Sequence, residues 1–216
     1  MTKGQNTRRH IINQAAILFA RNGYNNTSLT DILTATGLAK GGFYFHFKSK
    51  EELAEAVIES LETYWKNQLL PNMQKGRDAT EKLEVLLSTP GDCLSTPDCL
   101  RPTVLLLNLA TEMMEAHDMF SRRLKRIFQE WLNTIVCIIE EGKLAGLFSK
   151  EIDSNSVAGI ILSNIMGANL LALLHNDANI YQKQLSSLRE VLLRGITPHD
   201  PKECYDGILA VARPKQ

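Results

Sequence analysis

The chain of 216 residues is 44% hydrophobic and carries 24 basic and 24 acidic side chains, enough apolar mass for one large core or for a large and a small one. Four cysteines without framework spacing argue against a disulfide-stapled secreted fold. The polar start from Met1 to Arg9 holds no apolar leader, so a cytoplasmic protein is expected. The neutral total hides an asymmetry: residues 1–50 hold seven Lys or Arg and one acid, Asp31, a net +6, which leaves −6 for residues 51–216. A basic head on an acidic body suits a nucleic-acid partner, because phosphate neutralisation and counterion release drive affinity. Chance unevenness in a soluble protein is the alternative reading.

In chain order, Ile12, Ala15, Ala16 and Phe19 recur at the spacing of one apolar helix face, which Gly23 ends. Ser28-Leu29-Thr30-Asp31 has the form of a capping box opening a short helix, with Leu29, Ile32 and Leu33 inward and a stop at Gly37. After a four-residue turn a second short helix is predicted from about Ala39-Lys40 to His46. Ser49-Lys50-Glu51-Glu52 reads as another capping box, opening a long helix that Pro71 halts. Three helices so spaced fit a helix-turn-helix. Further helices are predicted near 77–88, 103–116, 118–145, 154–175 and 178–194, with a short one around 203–212 in a Pro-punctuated tail. The breaker-rich loop at about 88–102 holds a near-tandem repeat, Ser88–Leu94 and Ser95–Leu100, read as a duplicated insertion. Sustained period-two alternation is absent, so the expected class is all-α: an N-terminal helix-turn-helix domain over 1–48 and a larger helical domain over 49–216.

A DNA-reading helix needs little bulk where its backbone nears phosphate and a few long or flat groups aimed at the groove. Lys40-Gly41-Gly42-Phe43-Tyr44-Phe45-His46-Phe47 meets that need. Lys40 and Tyr44 share one face with Gly41 beside them, while Phe43 and Phe47 share another and can anchor the helix. From Thr27 through Leu38-Ala39-Lys40-Gly41-Gly42-Phe43-Tyr44-Phe45-His46-Phe47-Lys48-Ser49-Lys50 to Leu53, the sequence resembles the DNA-binding signature of TetR-family regulators. The resemblance covers roughly residues 8–55. It implies that Lys40, Gly41 and Tyr44, with Gly42 in the same stretch, contact DNA, and that Ser28, Thr30, His46 and Lys50 touch phosphate. Two positions depart from the pattern: Ala39 stands where the family often has a capping Ser, and Gly42 where it often has Thr, Ser or Ala. A lost cap and an interior glycine each cost about 1 kcal/mol, so a looser recognition helix is expected.

In the body, residues 157–174 are apolar nearly all round, with Gly159, Ser163 and Gly167 forming a small-residue stripe that allows close helix approach. The run nears the length of a membrane span, but Ser163, Asn164 and Asn169 interrupt it and neither an aromatic belt nor a basic flank anchors it. No membrane partner is therefore expected. The resemblance implies that residues 154–194 form a dimer interface, burial within one subunit being the alternative. A homodimer would set two recognition helices about 34–36 Å apart on a pseudo-palindromic DNA operator. The resemblance also implies an effector pocket in the middle helices, for which Leu105, Leu109, Met113, Phe120, Phe128 and Trp131 are the candidates, favouring a small apolar or aromatic molecule. Cys99, followed by Asn108-Leu109-Ala110-Thr111-Glu112, is similar to a branch of the family that senses electrophiles or oxidants through cysteine; an inert loop cysteine is the other reading.

A nucleophile elbow, phosphate loop, zinc motif and dinucleotide fingerprint are all missing, so neither an enzyme nor a cofactor is expected. The five histidines lack ligand spacing, so no metal is expected. A repressor released from DNA by its effector is the reading these features favour. A helical interaction module whose head leaves DNA alone is the competitor.

Overall fold

The computed structural model describes residues 2–89, 91, 101–113 and 118–197, and among them every regular element is helical. The helices are α1 (Lys3–Asn22), α2 (Leu29–Thr36), α3 (Lys40–His46), α4 (Lys50–Tyr64), α5 (Leu70–Met73), α6 (Ala79–Ser88), α7 (Pro102–Met113), α8 (Asp118–Leu144), α9 (Ser154–His175) and α10 (Ala178–Ile196). The 88–100 repeat with Cys93 and Cys99, apart from Ser88, Thr89 and Gly91, and the tail helix expected around 203–212 lie outside the described residues.

The head closes as its sequence directs. Gly23 ends α1 at φ +83° with its N–H on Phe19 O, and Gly37 ends α2 in the left-handed region at φ +67°. The Ser28 capping box is complete: Ser28 Oγ accepts from the Asp31 N–H at 3.1 Å, and Asp31 Oδ2 accepts from the Ser28 N–H at 2.8 Å. Only three residues, Gly37, Leu38 and Ala39, separate α2 from α3, because Ala39 already serves as an extended N-cap without a side-chain bond.

Two expectations about α4 are corrected. Ser49 Oγ accepts from the Glu52 N–H at 3.2 Å, but Glu52 Oε2 accepts from the Lys48 amide at 2.7 Å and not from that of Ser49. Ser49 is nearly fully extended (φ −155°, ψ 170°), so the chain leads the preceding amide into the carboxylate's reach. Pro71 does not halt the helix. A π turn over Trp65–Leu69 follows α4, Leu70 N–H bonds to Trp65 O, and Pro71 sits at the start of α5. Lengthening the repeat by one residue breaks the ladder before the ring arrives, so the missing amide and the proline's bulk are accommodated.

Packing joins head and body. Ile11, Ala15, Phe19, Ile32, Phe43, Phe47, Leu53 and Val57 form one core with Leu105, Leu106, Leu109, Phe120 and Leu124 of α7 and α8. A second core unites Trp65, Met73, Leu83, Ile139, Phe148, Ile161, Leu192 and Ile196. Phe128 and Trp131 pack against both. Within the body, Arg123 of α8 donates to Glu62 of α4 through Nε at 3.1 Å and Nη2 at 2.9 Å.

That pair makes the contact of α4 with α8 acid-sensitive. The Arg123 hydrogen bonds hold the Glu62 carboxyl below the ordinary carboxylate range, against the upward push of its partial burial. A depressed folded value contributes stability above the unfolded pKa of about 4 and loses it as pH falls through the folded value. Glu62→Gln is expected to lower the Tm at pH 7 by about 2–4 °C and to shrink the further drop on going to pH 3. Thermal scans at the two pH values check this, and an undiminished acid drop would contradict it.

Candidate nucleic-acid interface

The recognition helix α3 is anchored by its aromatic inner face. Phe43 and Phe47 are fully buried, their rings 5.9 Å apart, so the other face of this seven-residue helix is held outward. Lys40, Gly41 and Tyr44 are exposed on it, Tyr44 at 46%. Tyr44 leans edge-on against Phe43 at 5.5 Å, which fixes the phenol's direction without burying it. Gly42 is half-buried, and a Cβ there would rest 3.7 Å from Leu38 Cδ2, ordinary contact. Packing therefore leaves room for the side chain this position lacks.

The other expected contact residues divide by what already occupies them. Thr30 lies exposed in the first turn of α2. Ser28 is exposed too, but its hydroxyl donates to Asp31 Oδ2 at 2.7 Å as part of the cap; these Ser28 bonds hold the Asp31 carboxyl below its ordinary value. His46 is half-buried against Phe45, ring to ring at 5.0 Å. Lys50 turns inward. Its Nζ donates to Tyr24 O and Thr27 O, both at 3.0 Å, and lies 4.2 Å from the Tyr24 ring centre. An ammonium has three donors, so one N–H of Lys50 remains after these two bonds.

Two residues on this surface escaped the sequence reading. Phe45 is 82% exposed, the most open aromatic side chain of the helix. An apolar group so placed can meet thymine methyls. Within the run Phe43-Tyr44-Phe45-His46-Phe47 alternate aromatics look alike, and only the helical phase about Phe43 separates Phe45 from its neighbours. Arg8 lies with its guanidinium carbon 4.9 Å from the Phe47 ring centre, bringing an α1 cation to the end of α3. Its only sequence signal is membership of the basic head.

The remaining candidates are spread through the body. Leu105, Leu109 and Phe120 are core residues of the head–body junction, while Phe128 and Trp131 are half-buried there. The side chain of Met113 and all of Cys99 lie outside the described residues. Trp131 stacks on Trp65 at 4.6 Å, and its buried Nε1 finds no hydrogen-bond partner among the described residues. Gly159, Ser163 and Gly167 line an open groove of about 690 Å³ along α9 together with Ile160, Asn164 and Leu171. Among the described residues a Cβ on Gly159 or Gly167 would meet nothing within 4 Å, so packing there requires neither glycine. Ile160, Leu170, Leu171 and Leu174 are exposed along the same helix. Among the described residues α9 is the one helix long and apolar enough to cross a membrane, with a third of that stretch buried. Its inner side packs against α8 and α10.

Residues 11–57 match the family described as bacterial regulatory proteins, tetR family, and residues 79–188 match the tetracyclin repressor-like C-terminal domain. Among solved structures, a TetR transcriptional regulator from Chloroflexus aurantiacus is similar with a TM-score of 0.79 and 28% identity, covering 91% of this chain and 98% of that one. A TetR-family regulator from Cytophaga hutchinsonii gives a TM-score of 0.75 and 28% identity over 93% and 99% of the two chains. The transcriptional repressor DhaR of Mycobacterium sp. (strain GP1) is 22% identical over 187 residues, 86% of this chain and 92% of the relative.

Proposed function

Because this chain belongs to the TetR family of bacterial transcriptional regulators, we propose that it acts in the cytoplasm as a homodimeric repressor, bound to a pseudo-palindromic operator and released by a small effector. The observation that carries the reading is the outer face of α3: Lys40, Gly41 and Tyr44 stand in solvent on a helix locked by Phe43 and Phe47, within residues 1–50 of net charge +6. Lys40 and Tyr44 read or brace the groove while Thr30, His46 and the remaining N–H of Lys50 face phosphate. Ser28 serves first as the cap that orients α2, and Gly41 and Gly42 let the backbone come close. Residues 1–48 form the DNA-binding unit and 49–216 the effector and dimer unit.

The effector site centres on Phe128 and Trp131, since both touch the two cores and neither is fully buried. Leu105, Leu109 and Phe120 would part around the ligand, with Met113 at the end of α7. An effector binding one arrangement of these helices better than another shifts the separation of the two heads.

A mobility-shift titration with DNA flanking the chain's own coding sequence tests the reading at 50 and 200 mM salt. Binding is expected, with affinity falling about 10³-fold or more over that range if six or more phosphates are neutralised. Failure to bind, or binding indifferent to salt, would sink it.

A further inference from the structure

Residues 23–27, which carry the chain from α1 to the Ser28 cap of α2, are gripped by two other helices. From α7, Asn108 Nδ2 donates to the last-turn carbonyls of α1, Phe19 O at 3.3 Å and Ala20 O at 3.0 Å. One turn further along α7, Glu112 Oε2 accepts the Asn25 N–H at 2.6 Å. Gly23 makes this approach possible: a Cβ there would lie 2.1 Å from Glu112 Oε1. From α4, Lys50 donates to Tyr24 O and Thr27 O. Inside the turn, Thr27 Oγ1 donates to Gly23 O at 2.7 Å. An anion thus holds an amide of the turn while a cation holds its carbonyls.

We propose that Asn108 and Glu112 are the positioning residues through which the body sets the recognition head, the turn at 23–27 being the part they hold. The inference rests on the DNA-binding reading and adds how the head is directed. Hydrogen bonds weaken steeply once stretched or bent, so α7 cannot shift relative to α4 by an ångström or two and keep the Asn25 and Lys50 contacts together. Leu105 and Leu109 belong to the same helix as the two polar residues and are buried at the head–body junction. A molecule that parts these leucines therefore moves Asn108 and Glu112 with them. The turn delivers Ser28, and Ser28 fixes the start of α2, whose Ile32 shares one core with Phe43 of α3.

The test uses the full-length dimer, wild type against Asn108→Ala, Glu112→Ala and Glu112→Gln. Hydrogen exchange is followed over residues 19–28 without DNA. Affinity is measured for a fluorescein-labelled duplex that the wild-type protein selects from a random-sequence pool. Glu112→Ala is expected to raise exchange at 23–28 and weaken DNA binding about tenfold, the worth of one charged hydrogen bond. Its salt slope stays at the wild-type value, since no phosphate contact is removed. Glu112→Gln, which keeps an acceptor oxygen, recovers most of both. Wild-type affinity in both alanine variants overturns the inference, as does weaker binding without faster exchange at 23–28. If the wild type selects no duplex, it is the DNA-binding reading that fails, and wild-type exchange at 23–28 in Glu112→Ala would still refute the clasp.

Discussion

Leu171→Glu is expected to convert the dimer to monomers and to weaken operator binding by about 10²-fold or more. Leu171 lines the open groove of α9 beside Gly167 and is 40% exposed in the single chain. Ile160, Ser163, Gly167, Leu171 and Leu174 follow one another at three or four residues, a single helical face. The opposite face, with Ala158, Ile161, Leu162 and Ala172, is buried. A helix buried on one side and apolar on the other asks for a second surface, and glycines that meet nothing among the described residues leave room for another backbone. A carboxylate forced into such a contact lacks a partner and costs several kcal/mol. Loss of the dimer also removes the second half-site, which is why DNA binding should fall with it. Sedimentation and mobility shift on the same samples check the coupling. A variant that remains dimeric and binds normally would remove α9 from the interface.

The second large effect belongs to α3. The double variant Lys40→Ala, Tyr44→Ala should bind DNA about 10²-fold more weakly, at roughly 1–3 kcal/mol for a base-reading contact. Lys40→Ala by itself should lower the salt slope by about one if the ammonium neutralises a phosphate, and should leave the slope while relaxing sequence preference if it reads a base. Both side chains stand outside the core that Phe43 and Phe47 complete. The helical circular-dichroism signal and Tm should therefore barely change, which separates a lost contact from a lost fold. Undiminished affinity in the double variant would leave the head's surface without its proposed role.

Short-range features were legible from residue order. The Ser28 box, the Gly23 and Gly37 stops and the anchoring of α3 by Phe43 and Phe47, with Lys40 and Tyr44 outward, came out as local chemistry demands, whereas the exposure of Phe45 did not. Each depends on groups three or four residues apart, a distance at which side chain and amide must meet in a helix. The Ser49 box failed on a local detail, the extended backbone that turns the Lys48 amide towards Glu52. Pro71 failed on another, because a π turn can absorb a proline that an α-helical ladder would not.

By itself, then, the sequence determined an all-helical chain, the place and polarity of its recognition helix and the apolar character of α9. These follow from periodicity, caps and charge, which neighbouring residues set among themselves. Tertiary structure alone decided what each long side chain does. Lys50 reaches back 26 residues to Tyr24 O, Glu112 meets Asn25 from 87 residues away, and Leu105 and Leu109 join the head's core. Such partners are chosen by which helices pack together, and no local pattern carries that information. The basic head was therefore evident before its geometry, while the grip that directs it emerged only where α1, α4 and α7 converge.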